Sequence, residues 1–272
     1  REAREKLQQL RNEAPDLLND EATSPGIHNI VVPVDFSEYS LAISRLATRL
    51  AVKYKAKIWL THAYHTPVID TMSPEGYTAR VDIVMDELQQ AAKDSMQHLL
   101  GKMEEERKAL EDAGASMETL LLNATPDNLV HIIHDFVEPD LYIIGTQGKG
   151  EEKRKLVGSV AGKIITDAEH PVLALPITSD FKGSEYLQRV MYATDFDESD
   201  FAAMRKLMKL LRPFQPEIHF VHIRTKSANK WNEMRLKGLK DYFANAYNYD
   251  NVKSAIIEQQ DVQKGIYEYA GA

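Results

Sequence analysis

The chain has 272 residues, enough for one large or two ordinary domains, with 43% hydrophobic and 27% charged residues, the balance of a globular protein. Its net charge of −8 argues against a surface devoted to DNA or RNA. There is no cysteine, hence no disulfide, thiolate zinc site or cysteine nucleophile, and no apolar run approaches the roughly 20 residues of a bilayer span, so a cytoplasmic location without a membrane segment is expected.

Residues 1–26 are charged and helix-prone, with Leu7, Leu10, Leu17 and Leu18 as a weak apolar face, and read as an extension or linker before Pro25-Gly26. The first residue is Arg1 rather than Met, which points to a processed or excised fragment. Ile30 to Val34 is a short apolar strand, and Tyr39, Ile43, Leu46, Ala47, Leu50 and Tyr54 recur behind it at helical spacing. Lys57 to Tyr64 is a second strand. His65 to Ala79, with Pro67, Pro74 and Gly76, reads as a surface excursion, and a long helix from Val81 ends near Gly114. Ser116 to Leu122 forms a third strand. Thr125 is placed to cap a helix with Pro126 at its first position and Leu129, Ile132, Ile133 and Phe136 as its buried stripe.

The fourth strand, Leu141 to Ile144, runs into the glycine-spaced segment Gly145-Thr146-Gln147-Gly148-Lys149-Gly150, and Gly158-Ser159 opens the helix Val160 to Ala168. A hydroxyl and unpaired backbone N–H groups at a helix start favour an anion. Two familiar phosphate loops are excluded, because Glu151 follows Gly150 where a P-loop needs Lys, and Lys153 stands where the dinucleotide fingerprint needs Gly. Pro171 to Leu175 is the fifth strand. Alternating short strands and helices imply a parallel sheet covered on both faces.

Val31 to Tyr64 aligns without a gap on Met191 to Arg224, 160 positions on, matching Asp35, Phe36 and His62 to Asp195, Phe196 and His222. An ungapped match over strand, helix and strand indicates a tandem repeat. The second copy reads as strand Arg189 to Thr194, helix Phe201 to Leu211, strand Ile218 to Ile223, helix Trp231 to Tyr247, strand Val252 to Ile257 and a final helical piece. It carries no second glycine loop, so residues absent from this chain or another segment are expected to complete its sheet.

In these features the chain resembles the universal stress protein family, whose nucleotide-binding members carry Gly-x2-Gly-x9-Gly-Ser or Thr. Gly145, Gly148, Gly158 and Ser159 have that spacing. The resemblance implies an α/β, flavodoxin-like fold with five parallel strands in the order 3-2-1-4-5 and helices on both faces, in tandem, the second copy incomplete. The expected divisions are residues 1–26, a nucleotide-binding domain over 27–180 and a truncated copy over 181–272. Carried over residue by residue, it implies an ATP site in which Asp35 and the Ala63 backbone face the adenine and Pro33 shapes the same end. Thr146, Gly148, Gly158, Ser159 and Val160 surround ribose and phosphates, and Gly145 makes the turn. Asp35 could equally cap the following helix.

Glu151 and Glu152 could repel phosphate, hold its magnesium through water or point away, with Lys149, Lys153, Arg154 and Lys155 offsetting them. The expected function is an ATP-binding regulatory protein of the stress-response type, with no catalytic residue and no direct metal ligand, whose nucleotide occupancy alters a dimer or partner surface. The alternatives are a weak magnesium-dependent ATPase using Glu151 or Glu152, and a nucleotide-free scaffold or soluble regulatory part of a larger protein such as a transporter. The family also implies pairing through the fifth strand, Val172 to Leu175, between domains or between chains; the second copy offers no fifth strand, so a homodimer through the first domain is expected. His131 and His134 stand one helical turn apart without a convincing third ligand and read as a surface or partly packed pair.

Overall fold

The computed structural model describes residues 26–65, 74–146, 158–176, 187–197, 199–225 and 230–271. Ile27–Gly183 forms one compact unit, and Ser184–Ala272 belongs to a second. In chain order the first contains β1 (Asn29–Pro33), α1 (Glu38–Tyr54), β2 (Lys57–Tyr64), α2 (Pro74–Gly101), α3 (Glu104–Asp112), β3 (Ser116–Asn123), α4 (Leu129–His134), β4 (Leu141–Gly145), α5 (Ser159–Asp167) and β5 (Val172–Leu175). The second contains β6 (Arg189–Ala193), α6 (Asp200–Leu211), β7 (Glu217–Arg224), α7 (Lys230–Tyr247), β8 (Val252–Glu258) and α8 (Val262–Ala270).

The first sheet is parallel throughout, in the order β3-β2-β1-β4-β5 that the family resemblance implies. β1 sits at its centre, which explains the unbroken buried run Ile30-Val31-Val32: a strand with neighbours on both sides and helices above and below has no face for water. Pleating sends alternate side chains to opposite faces. Val31, Tyr142 and Ile144 go to one face and pack with Leu129, Ile133, Ala161 and Ile164 from α4 and α5. Burial of such side chains contributes about 1.5–3 kcal/mol each, which fixes the register against slippage.

α1 is bounded by local chemistry. Ser37 caps it, its side chain accepting from the Ser40 amide, and Lys55 ends it in a left-handed conformation whose N–H returns to the Ala51 and Val52 carbonyls. Asp35 therefore does not cap this helix; its Oδ1 accepts from the Ser37 amide at 3.1 Å and from the Ser37 hydroxyl at 2.6 Å.

Four local expectations are corrected. The last part of the expected excursion is helical, since α2 begins at Pro74, where a missing N–H costs nothing. The long helix is two helices, α2 and α3, with Met103 between them at a non-helical backbone position and fully buried. Thr125 does not cap α4; its amide and hydroxyl both donate to Asn128 Oδ1, and this turn delays the helix until Leu129. Phe136 is 60% exposed, because α4 stops at His134 and Val137 takes the core position instead.

The second unit holds a parallel sheet of three strands, β6-β7-β8. Its core is rich in aromatic rings, with Phe243 against both Phe220 and Tyr249, in one cluster with Met204, Met208, Leu236 and Leu239. Asp261 caps α8 by accepting from the Lys264 amide at 2.9 Å. The expected N-terminal extension lies outside the described residues. No helix among the described residues is long and apolar enough to cross a membrane.

Candidate functional site

In a parallel sheet whose chain steps from the centre first to one side and then to the other, the carboxyl ends of the two diverging strands leave a crevice. Here β1 pairs with β2 on one side and β4 on the other, and a cavity of about 240 Å³ opens at their carboxyl ends. Pro33, Asp35, Ala63, Gly145, Gly158, Ser159 and Val160 line it. Seven residues named from sequence, up to 127 positions apart, are thus brought to one cavity. Thr146, just after Gly145, accepts the Gly158 amide with its carbonyl at 2.7 Å and donates its amide to the Leu175 carbonyl at 2.9 Å. Gly148, together with Lys149, Glu151, Glu152, Lys153, Arg154 and Lys155, lies outside the described residues.

The glycines have different duties. Gly158 is the N-cap of α5 in an extended conformation, with no side chain to compete for the helix start. The first helical bond is Gly162 N–H to the Gly158 carbonyl at 2.7 Å, so the amides of Val160 and Ala161 precede the ladder at the end of the dipole that favours negative charge. Gly145 has no left-handed conformation to maintain; among the described residues only Gly114 is a glycine with positive φ. What Gly145 supplies is clearance, since a Cβ built there would stand 2.5 Å from Tyr39 Cε1.

Tyr39 is a wall residue that sequence reading assigned to the core stripe of α1. Its hydroxyl donates to the Leu175 carbonyl, and burial raises its pKa. Ile43 is one turn further along the same face, and the stripe that covers the sheet also reaches the cavity. Thr61 and His62 on β2 were missed as wall residues too. The Thr61 hydroxyl is buried and has no hydrogen-bond partner among the described residues, an orphaned polar group that a ligand in the cavity could satisfy. The sequence signal for Thr61 was only its place two residues before Ala63 on the same strand face.

His62 is held rather than poised. Its Nδ1–H donates to the Val34 carbonyl at 2.7 Å, and its ring lies 4.2 Å from Phe36, centroid to centroid. Burial is the largest influence on its pKa and lowers it, partly opposed by the Val34 carbonyl and Asp35. The same arrangement recurs in the second unit, where His222 Nδ1–H donates to Thr194 O at 2.9 Å and stacks on Phe196 at 4.4 Å. Phe36 and Phe196 both take positive φ, 61° and 67°, a rare and strained state for an aromatic residue.

The surroundings then diverge. Where the first unit has Val32, Val34 and Ser40, the aligned positions of the second hold Tyr192, Thr194 and Asp200. Asp200 is 6% exposed and accepts from the Tyr192 hydroxyl at 2.7 Å and the Thr194 hydroxyl at 2.6 Å. These polar groups satisfy one another, and Thr194 and Asp200 stand at the positions aligned with Val34 and Ser40, which line the cavity of the first unit.

The family model of the universal stress protein family matches residues 26–176, more than half of the chain. The chain belongs to the universal stress protein family. Universal stress protein MJ0531 of Methanocaldococcus jannaschii is 27% identical over 146 residues, 54% of this chain and 80% of that protein. Universal stress protein MJ0577 of the same organism is 27% identical over 151 residues, 54% of this chain and 93% of that protein. A universal stress protein structure from Archaeoglobus fulgidus superposes with a TM-score of 0.61 at 17% identity, covering 89% of this chain and 83% of that one, and so shares the fold.

Proposed function

We propose that this universal stress protein binds ATP in the cavity of its first unit, and that occupancy alters a dimer or partner surface. The observation that carries the reading is the convergence of Asp35, Ala63, Gly145 and the Gly158-Ser159 start of α5 on one cavity at the carboxyl ends of β1, β2 and β4. The nucleotide would lay its base toward Asp35, Pro33 and Ala63, and its phosphates toward Thr146, Gly148 and the amides that open α5. Magnesium would accompany the phosphates, held through them rather than by a cage of protein ligands. The role is that of a binding module.

The domain reading places a nucleotide-binding domain over residues 27–180 and a related, nucleotide-free copy over 181–272. The recurring strained Phe and half-buried, carbonyl-bound His support common ancestry of the two, and the Asp200 network, at positions aligned with cavity-lining residues of the first unit, supports loss of the ligand in the second. Pairing of two chains through β5 is supported by its position as an edge strand of the first sheet.

The test begins by denaturing the purified chain and identifying any nucleotide released, then titrating ATP into the wild type and Gly148→Val. Tighter binding by the wild type supports the reading, and equal binding overturns it. Light scattering at micromolar concentration addresses the pairing, for which a monomer is the contrary result.

A further inference from the structure

The histidine pair one turn apart on α4 is not the grouping that the fold creates. His131 is exposed, whereas His134, half-buried at the end of the same helix, lies against His170 in the connection that leads into β5, with ring centroids 5.4 Å apart and planes 31° from parallel. Glu138, in the connection from α4 to β4, brings Oε1 to 3.7 Å from His170 Nε2. One potential ligand atom from each of His134, Glu138 and His170 lies within 4.8 Å of the other two. His134 at the end of α4 and Glu138 just after it meet His170, which precedes β5, because β4 and β5 are neighbours in the sheet.

We propose that His134, Glu138 and His170 form a zinc site. Two imidazole nitrogens and one carboxylate oxygen are the donor types zinc prefers, and nitrogen donors disfavour magnesium and calcium. Tetrahedral zinc with ligand bonds of about 2.0–2.2 Å places its ligand atoms about 3.4 Å apart, so the trio must close modestly around the ion. His170 is 27% exposed and Glu138 80% exposed at the side chain, which leaves both room to turn inward and an open side for a water as fourth ligand. Asp135 and Glu169, adjacent in sequence to His134 and His170, add negative charge nearby.

Glu138 and His170 precede β4 and β5, so this site lies at the amino ends of the strands, opposite the cavity at their carboxyl ends. Its ion would tie the α4–β4 connection to the α5–β5 connection and brace the start of the edge strand β5. The site is therefore independent of nucleotide binding.

The test uses the full chain, stripped with EDTA and dialysed, and titrated with zinc chloride against a chromophoric chelator. One zinc per chain is expected, together with a higher Tm in zinc. His134→Gln and His170→Gln should each weaken binding at least tenfold while keeping the metal-free Tm of the wild type, and His131→Gln should bind as the wild type does. If either ligand variant fails to fold, Glu138→Gln, which alters an exposed side chain, should still weaken zinc several-fold. Absence of stoichiometric zinc, or equal weakening by His131→Gln and His170→Gln, overturns the proposal and leaves an ordinary Glu138–His170 ion pair beside a packed His134.

Discussion

Tyr39 lies across Gly145 so closely that a Cβ at Gly145 would meet its ring edge at 2.5 Å. The contact joins the first turn of α1 to the end of β4, and the Tyr39 hydroxyl anchors the ring to the Leu175 carbonyl on β5. One glycine and one aromatic ring thus set the wall of the cavity.

Gly145→Ala is expected to cost about 1–3 kcal/mol, the usual penalty of overpacking a close contact, and to lower ATP affinity by displacing Tyr39. Because the clash is with one side chain, the penalty should largely vanish in a Tyr39→Ala background. Urea unfolding of the two single variants and the double variant checks this. Additive losses would show that Gly145 matters for another reason.

Ser37 and Asp35 have separable duties. Ser37→Ala removes the cap of α1 and should cost about 1 kcal/mol, with little change in ATP affinity. Asp35→Asn keeps an acceptor for the Ser37 amide and hydroxyl, so its effect should fall on affinity more than on stability. Unfolding and ATP titration on both variants distinguish them, and an Asp35→Asn protein that binds ATP normally would remove Asp35 from the site.

His62 should make stability depend on pH. Burial lowers its folded pKa below the ordinary 6.5, so under mildly acidic conditions the unfolded chain binds more protons than the folded one. Its neutral form is then fully accommodated above about pH 6.5, and stability falls as pH drops from there through the folded value. Wild-type Tm should decline between pH 7 and pH 5, and His62→Gln should flatten that part of the profile. An unchanged slope in the variant would assign the decline to other groups.

In the second unit, Asp200→Ala leaves the Tyr192 and Thr194 hydroxyls without their acceptor in a buried setting and should cost about 2–4 kcal/mol. Burial and the neighbouring Asp200 carboxylate both raise the Tyr192 pKa, so the phenol stays protonated as a donor. Thermal unfolding of the variant measures the loss. A change near zero would mean that water replaces the carboxylate.

Local patterns carried most of the fold. The buried run of β1 and the helical stripe of α1 are each written within a few residues, and the strand order that the family resemblance implies holds. The errors fell where a local signal had two outcomes. Thr125-Pro126 suits a helix start and a turn equally, and Asn128 Oδ1, by accepting both Thr125 donors, made it a turn. Phe136 continued an apolar stripe whose helix had already ended at His134.

By itself the sequence determined the parallel α/β architecture, because periodicity and capping act over a single element or loop, and its glycine spacing carried the family resemblance through which the cavity residues were named. Only the tertiary structure decided what those residues touch. It set Tyr39 against Gly145, bound Asp200 to the Tyr192 and Thr194 hydroxyls in the second unit, and moved His134 from its sequence neighbour His131 to His170. Each of these is a contact between side chains whose elements meet through strand pairing or helix packing, and no spacing along the chain encodes that distance.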